Sequence, residues 1–145
     1  VSLFLARREV MEVFKPGDHG STFGGNPIAA AVGLAVLDTL IDEGLIERSA
    51  AVGAHLLNRL ASIKSPIIRE VRGRGLFAGV ELHRDLAGAD AVALRLLRAG
   101  VLTKDTHRNT IRFAPPLIID ESQVDWAVER LADVLEDVAK VSAPI

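Results

Sequence analysis

Two hydroxyls, an acid and an imidazole sit among four glycines in the stretch Gly17-Asp18-His19-Gly20-Ser21-Thr22-Phe23-Gly24-Gly25-Asn26-Pro27. An apolar run, 28–40, follows at once. Asn26 can cap a helix, because its side-chain oxygen accepts from the first free backbone N–H groups. Pro27 suits the first helical position, where no N–H is needed. A helix started there turns its positive end toward Ser21 and Thr22, a setting that favours anions. Hydroxyl donors beside glycines, which permit close backbone approach, could hold a phosphate. The same residues also make an ordinary tight turn, and spacing alone does not separate the two. His19 reads as a hydrogen-bonded loop residue or a phosphate-side donor. With no nucleophile beside it, the pair Asp18-His19 is not a catalytic dyad.

The second candidate is Arg112, in the strand pattern Thr110-Ile111-Arg112-Phe113 ahead of Ala114-Pro115-Pro116-Leu117. Among apolar neighbours a guanidinium can offer a carboxylate a bidentate fork. It can equally be a surface arginine on the polar face of an edge strand. Arg72-Gly73-Arg74-Gly75 could grip an anion, but reads better as a charged turn between two strands. His55 and His83 read as solvated. Four histidines lie far apart, and no acid cluster accompanies them, so no metal site is expected. There is no G-x-S-x-G elbow and no P-loop.

Several elements must position these residues. Val1-Ser2-Leu3-Phe4-Leu5 predicts a buried strand, whose sheet is expected from a preceding polypeptide. A helix from about Arg7 to Phe14 leads into the turn Lys15-Pro16-Gly17. The next should run from Pro27 to about Asp42, stop at a left-handed Gly44, and be buried on several sides. From about Leu45 to Ile63 an amphipathic helix places Leu45, Ser49, Val52, Leu56, Leu60 and Ile63 inward, with Glu47, Arg48 and Arg59 outward. Strands are expected at Ile67 to Val71, Leu76 to Leu82, Val101 to Thr103 and Thr110 to Phe113, the last two around a polar loop, 104–109. A helix from about Gly88 to Ala99 separates the two pairs. A final helix opens with Asp120 and Gln123 close to a capping box, and the tail beyond Lys140 should fray. From about residue 65 onward this describes a small antiparallel sheet covered by helices.

Composition narrows the function classes. With 145 residues, 49% hydrophobic and 25% charged, the chain has an ordinary globular makeup. A net charge of −2 with interspersed signs offers no basic patch for nucleic acid. The absence of cysteine excludes disulfides and thiolate metal sites. No apolar run is long enough to span a bilayer. A soluble, cytoplasmic chain without nucleic-acid or membrane partners is therefore expected.

The string HGSTFGGNP, preceded by Lys15-Pro16-Gly17 and followed by a small-residue helix, resembles the segment after the cofactor lysine in class III aminotransferases, most closely in their ornithine-type branch. The segments Arg72-Gly-Arg-Gly-Leu and Arg112-Phe-Ala-Pro-Pro-Leu are similar to further family segments. So is Lys104-Asp105-Thr106-His107, except that Asp105 stands where proline is usual, and no chemistry is assigned to Lys104 or His107. The similarity runs from Val1 to about Val138 and corresponds to the C-terminal third of a complete enzyme. It implies an α/β to α+β fold, the C-terminal portion of a fold-type I pyridoxal-phosphate transferase. Residues 1–64 would close the large cofactor-binding domain, and 65–145 would form the small C-terminal domain. It implies that Ser21 and Thr22 reach across a dimer interface to the phosphate of pyridoxal 5'-phosphate, and that Arg112 takes the substrate α-carboxylate. None of Lys15, Lys64, Lys104 and Lys140 stands in the family's Schiff-base context, so that lysine and the pyridine-facing aspartate are expected upstream, and no catalytic residue is assigned here. With the upstream half as partner, in a homo-oligomer, such a chain would help move the δ-amino group of ornithine to 2-oxoglutarate. The alternative is a non-catalytic remnant or interaction module that keeps the family fold.

Overall fold

The computed structural model describes residue 2 and residues 4–142. Val1 and Leu3 of the expected first strand lie outside the described residues, as does the tail 143–145; Ser2, Phe4 and Leu5 form no strand. The chain divides into two compact units, Val1–Gly44 and Leu45–Ile145.

In the first unit a single helical turn, α1 (Arg8–Met11), replaces the longer helix expected at 7–14. α2 (Pro27–Asp42) begins and ends where its punctuation requires. Asn26 Oδ1 accepts from the Ala29 N–H at 2.9 Å, Pro27 occupies the first turn, and Gly44 at φ +59° closes the helix. None of the α2 residues is buried, contrary to expectation. Ile28, Val32, Leu34, Val36, Leu37 and Ile41 are exposed, so within the first unit no described element covers its apolar side chains.

The second unit holds the hydrophobic core. α3 (Leu45–Ser62), α4 (Ala89–Arg98) and α5 (Glu121–Ser142) pack on a four-stranded antiparallel sheet of order β1-β2-β4-β3. Its strands are β1 (Ile68–Arg74), β2 (Phe77–Leu82), β3 (Lys104–Thr106) and β4 (Thr110–Phe113). Leu56 and Leu60 from α3, Val80 and Leu82 from β2, Ile111 from β4 and Leu131 and Leu135 from α5 meet in one cluster. Each such side chain contributes about 1.5–3 kcal/mol by leaving water. α3, placed in the first domain by the resemblance, thus packs with the sheet unit.

Local chemistry explains where the elements end. β1 and β2 join through Gly75-Leu76, with Arg74 opposite Phe77. Gly75 takes φ +54°, the left-handed conformation that a two-residue hairpin asks of its first position. Arg72-Gly73-Arg74 therefore belongs to β1 and only Gly75 to the turn, not the whole tetrad. β3 lies three residues later than expected. Val101 stays with α4, its N–H bonding the Leu96 carbonyl at 2.8 Å, and the polar run 104–106 pairs with β4 instead. At the last helix the capping box is complete. Asp120 Oδ1 accepts from the Gln123 N–H at 2.8 Å, and Gln123 Oε1 from the Asp120 N–H at 3.2 Å.

Three polar side chains on α3 depart from the solvated reading. His55 Nε2 and Arg59 Nε each lie 2.7 Å from Asp125 Oδ1, tying α3 to α5. His55 is thus paired rather than free in solvent. Arg48, expected outward, donates from one Nη to the Ile118 and Ile119 carbonyls at 3.2 and 2.7 Å.

Candidate functional site

The glycine-rich loop of the first unit is exposed throughout, 17–25. It folds as two turns. The Lys15 N–H donates to Asp18 Oδ2 at 2.7 Å, and the Asp18 N–H to the Lys15 carbonyl at 3.0 Å. Asp18 is thereby a turn-closing residue and not a partner of His19. The second turn brings the Gly24 N–H to 3.4 Å from the Ser21 carbonyl. A Cβ at Gly24 would stand 3.1 Å from Ser21 Cβ, so glycine there leaves the serine its place. Neither the Ser21 nor the Thr22 hydroxyl has a hydrogen-bond partner among the described residues. Two unpartnered donors next to the start of α2 fit the phosphate group of a cofactor. The lysines offer less. Lys15 Nζ donates to the Glu12 carbonyl, Lys104 Nζ to Asp105 and Lys140 Nζ to Glu136, all on the surface.

In the second unit the helices cover one face of the sheet, and strand alternation decides what the other presents. Ala78, Val80, Leu82, Ile111 and Phe113 point into the core. Phe77, Gly79, Glu81, Arg112 and, across the register, Arg72 share the opposite face. A cavity of about 430 Å³ lies there, lined by Arg72, Phe77, Gly79, Thr106, Thr110 and Arg112 among others.

Charges on this face are not equivalent. Glu81 receives Arg69 and Arg72, both at 2.6 Å, and the Asn109 amide at 3.3 Å. Arg72, and after it Arg69 and Asn109, hold the Glu81 carboxyl below its ordinary value, while Glu81 raises that of Arg72. Arg72 also meets Glu70 at 2.9 Å and is therefore neutralised. Arg112 has no carboxylate partner among the described residues; its Cζ lies 6.0 Å from the centre of the Phe77 ring. Lys104 sits directly opposite Arg112 in the ladder, its charge partly offset by Asp105 at 3.2 Å.

A larger cavity, about 810 Å³, runs between α5 and the segment after β4, past Phe113, Pro115 and Trp126. It is apolar and holds none of the three candidate side chains, so its size does not make it the chemical centre. Among the described residues no group of three or more His, Asp or Glu could hold a metal, and no helix is long and apolar enough to cross a membrane.

Ser21 and Thr22 therefore stand together in one unit and Arg112 in the other. Phe77 was missed from sequence. Its place on the outward face was legible from alternation, but its nearness to Arg112 depends on the β2–β4 register, which no local pattern encodes.

Residues 1–135 match the profile of the family described as aminotransferase class-III. The chain is 49% identical over 135 residues to an ornithine aminotransferase of Brevibacillus brevis, covering 93% of this chain and 33% of that one. Among solved structures, an ornithine delta-aminotransferase of Plasmodium falciparum superposes with a TM-score of 0.85 at 38% identity, over 94% of this chain and 36% of that chain. An acetylornithine aminotransferase of Elizabethkingia anophelis gives 0.78 at 39% identity, over 92% and 34%. The chain spans about a third of the length of the relatives it matches.

Proposed function

The chain belongs to the class III aminotransferases, and from that premise we propose that it serves as the C-terminal part of an ornithine-type enzyme, moving the δ-amino group of ornithine to 2-oxoglutarate. Pyridoxal phosphate, when bound, supplies the electron sink that such a transfer requires. In this reading Ser21 and Thr22 donate to its phosphate across a homodimer interface, and Arg112 grips the substrate carboxylate with its two-pronged fork. The upstream portion brings the lysine that carries the proton and the acid facing the ring nitrogen. Residues 1–64 then close the large domain and 65–145 form the small one, with α3 (Leu45–Ser62) as the connecting element that packs on the small domain's sheet, in the cytoplasm.

The observation that supports this most is the pair of unpartnered hydroxyls ahead of a capped α2. Two anion-seeking groups, that pair and the unneutralised Arg112, match the two acidic handles of cofactor and substrate.

Mixing the chain with the upstream portion of the enzyme and assaying for glutamate semialdehyde is the direct test. Product formation supports the proposal; a mixture that binds but never turns over supports the non-catalytic module. Alanine at both Ser21 and Thr22 should weaken cofactor binding in the working assembly, read by titration of its absorbance. Undiminished affinity refutes their role. Borohydride treatment of the chain alone with the cofactor, followed by peptide mapping, should label no single lysine stoichiometrically; one such lysine would overturn the assignment of that group upstream.

A further inference from the structure

We infer that Phe77 is a positioning residue for Arg112: its ring is the platform that aims the guanidinium fork into the cavity on the open face of the sheet. This rests on the reading of Arg112 as the carboxylate anchor. Arg112 faces Gly79 across the β2–β4 ladder, and Phe77 is the diagonal neighbour two residues back on β2. Diagonal pairs on one face lie within reach of long and aromatic side chains. Position 79, between them on that face, carries no side chain. A Cβ there would meet Thr110 Cγ2 at 3.3 Å. The result is a guanidinium carbon 6.0 Å from the ring centre, at the outer limit of an attractive cation–ring contact.

Two further facts single out this contact. Phe77 is 60% exposed, so burial does not explain a large aromatic at this position. Arg72, the other guanidinium lining the cavity, is held by Glu70 and Glu81, whereas among the described residues Arg112 has the ring and no carboxylate. A flexible arginine without such a support spreads over many rotamers and must be ordered when the ligand arrives, at an entropic cost to affinity. A ring beneath the fork orders the side chain beforehand and leaves its N–H edges free for a carboxylate.

The test is steady-state kinetics of the complete enzyme, this chain with its upstream portion, comparing wild type with Phe77→Leu, Phe77→Tyr and Arg112→Lys. Phe77→Leu keeps the bulk and loses the ring. It should raise KM for both the amino acid and the 2-oxo acid by about threefold with kcat unchanged, the range expected for an exposed cation–ring contact. Phe77→Tyr restores the ring and should restore KM. If Phe77→Leu matches wild type while Arg112→Lys raises KM, the platform is refuted and the anchor stands. If Phe77→Leu lowers kcat alone, or Tyr fails to rescue, the ring is only structural and the inference is overturned. If Arg112→Lys leaves KM unchanged, the anchor fails and the inference with it. A second measurement needs no turnover. In a nitrogen-15 spectrum of the 145-residue chain, the ring current should displace the Arg112 Nε–H signal from its free position, and Phe77→Leu should return it. A signal that does not move on substitution refutes the contact itself.

Discussion

Gly53 offers the sharpest test of how the second unit is packed, because a single methyl group there has nowhere to go. It is a buried residue in the middle of α3, and α3 crosses the β1–β2 turn at that point. A Cβ on Gly53 would stand 2.1, 2.3 and 2.4 Å from the carbonyl carbon, oxygen and Cα of Gly75, where ordinary contact begins at 3.4 Å. All three atoms are backbone, so no rotamer change relieves them; helix and hairpin must part by more than an ångström. Overpacking of a filled interior costs about 1–3 kcal/mol, and two abutting backbones put this case at the upper end. Separation also strains the Leu76 N–H bond to Ser49 Oγ, 3.3 Å long, worth about 1 kcal/mol. Alanine returns about 1 kcal/mol through its better helix propensity. The expected net loss for Gly53→Ala is about 3 kcal/mol, from a total stability of about 5–15 kcal/mol. At about 4–8 °C per kcal/mol for a unit of this size, Tm should fall by more than about 12 °C. Thermal and urea unfolding followed by circular dichroism would read both. Were Gly53→Ala as stable as the parent, or more so, helix propensity would be the dominant effect and the tight crossing of α3 over the turn would be refuted.

Other outcomes follow from contacts already described. Arg112→Lys in the assembled enzyme should raise KM for the amino acid about tenfold or more, the cost of trading a charged bidentate pair for a point charge; unchanged kinetics would remove it from the site. Asn109→Ala leaves the buried Leu82 carbonyl without its 3.2 Å amide donor, so unfolding in urea should show a loss of about 1–3 kcal/mol. Asp125 has its carboxyl held below the ordinary range by His55 first and Arg59 second. Its contribution is therefore complete above the unfolded-state value, near about 4, and fades as pH falls through the lower native value. Asp125→Asn should be less stable at pH 7 and should lose less on acidification than the parent. Parallel urea midpoints for the two proteins between pH 7 and pH 3 would refute the clasp.

Sequence legibility followed the range of the interactions involved. The ends of α2 and the start of α5 were readable because Asn26-Pro27, Gly44, Asp120 and Gln123 act within one turn of the backbone they serve. The core face of α3 was readable from periodicity. β3 was not. Its residues Lys104-Asp105-Thr106 are all polar, while Val101-Leu102 beside them imitates a strand. The tight loop after β3 depends on His107 and Arg108 at φ +51° and +69°, a conformation those side chains do not announce. His55 and Arg59 meet Asp125 about seventy residues away, beyond any local signal. The loop with Ser21 and Thr22, and the strand with Arg112, were found as separate segments with separate chemistry. What lies beside Arg112 required the pairing of β2 with β4.

The bulge in β1 has a bearing on colloidal behaviour. Between Ile68 and Glu70 the ladder slips, and β1 is an outer strand of the sheet. A slipped, arginine-rich border cannot zip against a copy of itself without stacking like charges or abandoning hydrogen bonds. The opposite border, β3, is only three residues long and carries a lysine and an aspartate. Short and charged at one side, kinked at the other, the sheet offers no template for growth by strand addition, which should keep concentrated solutions of this unit free of fibres.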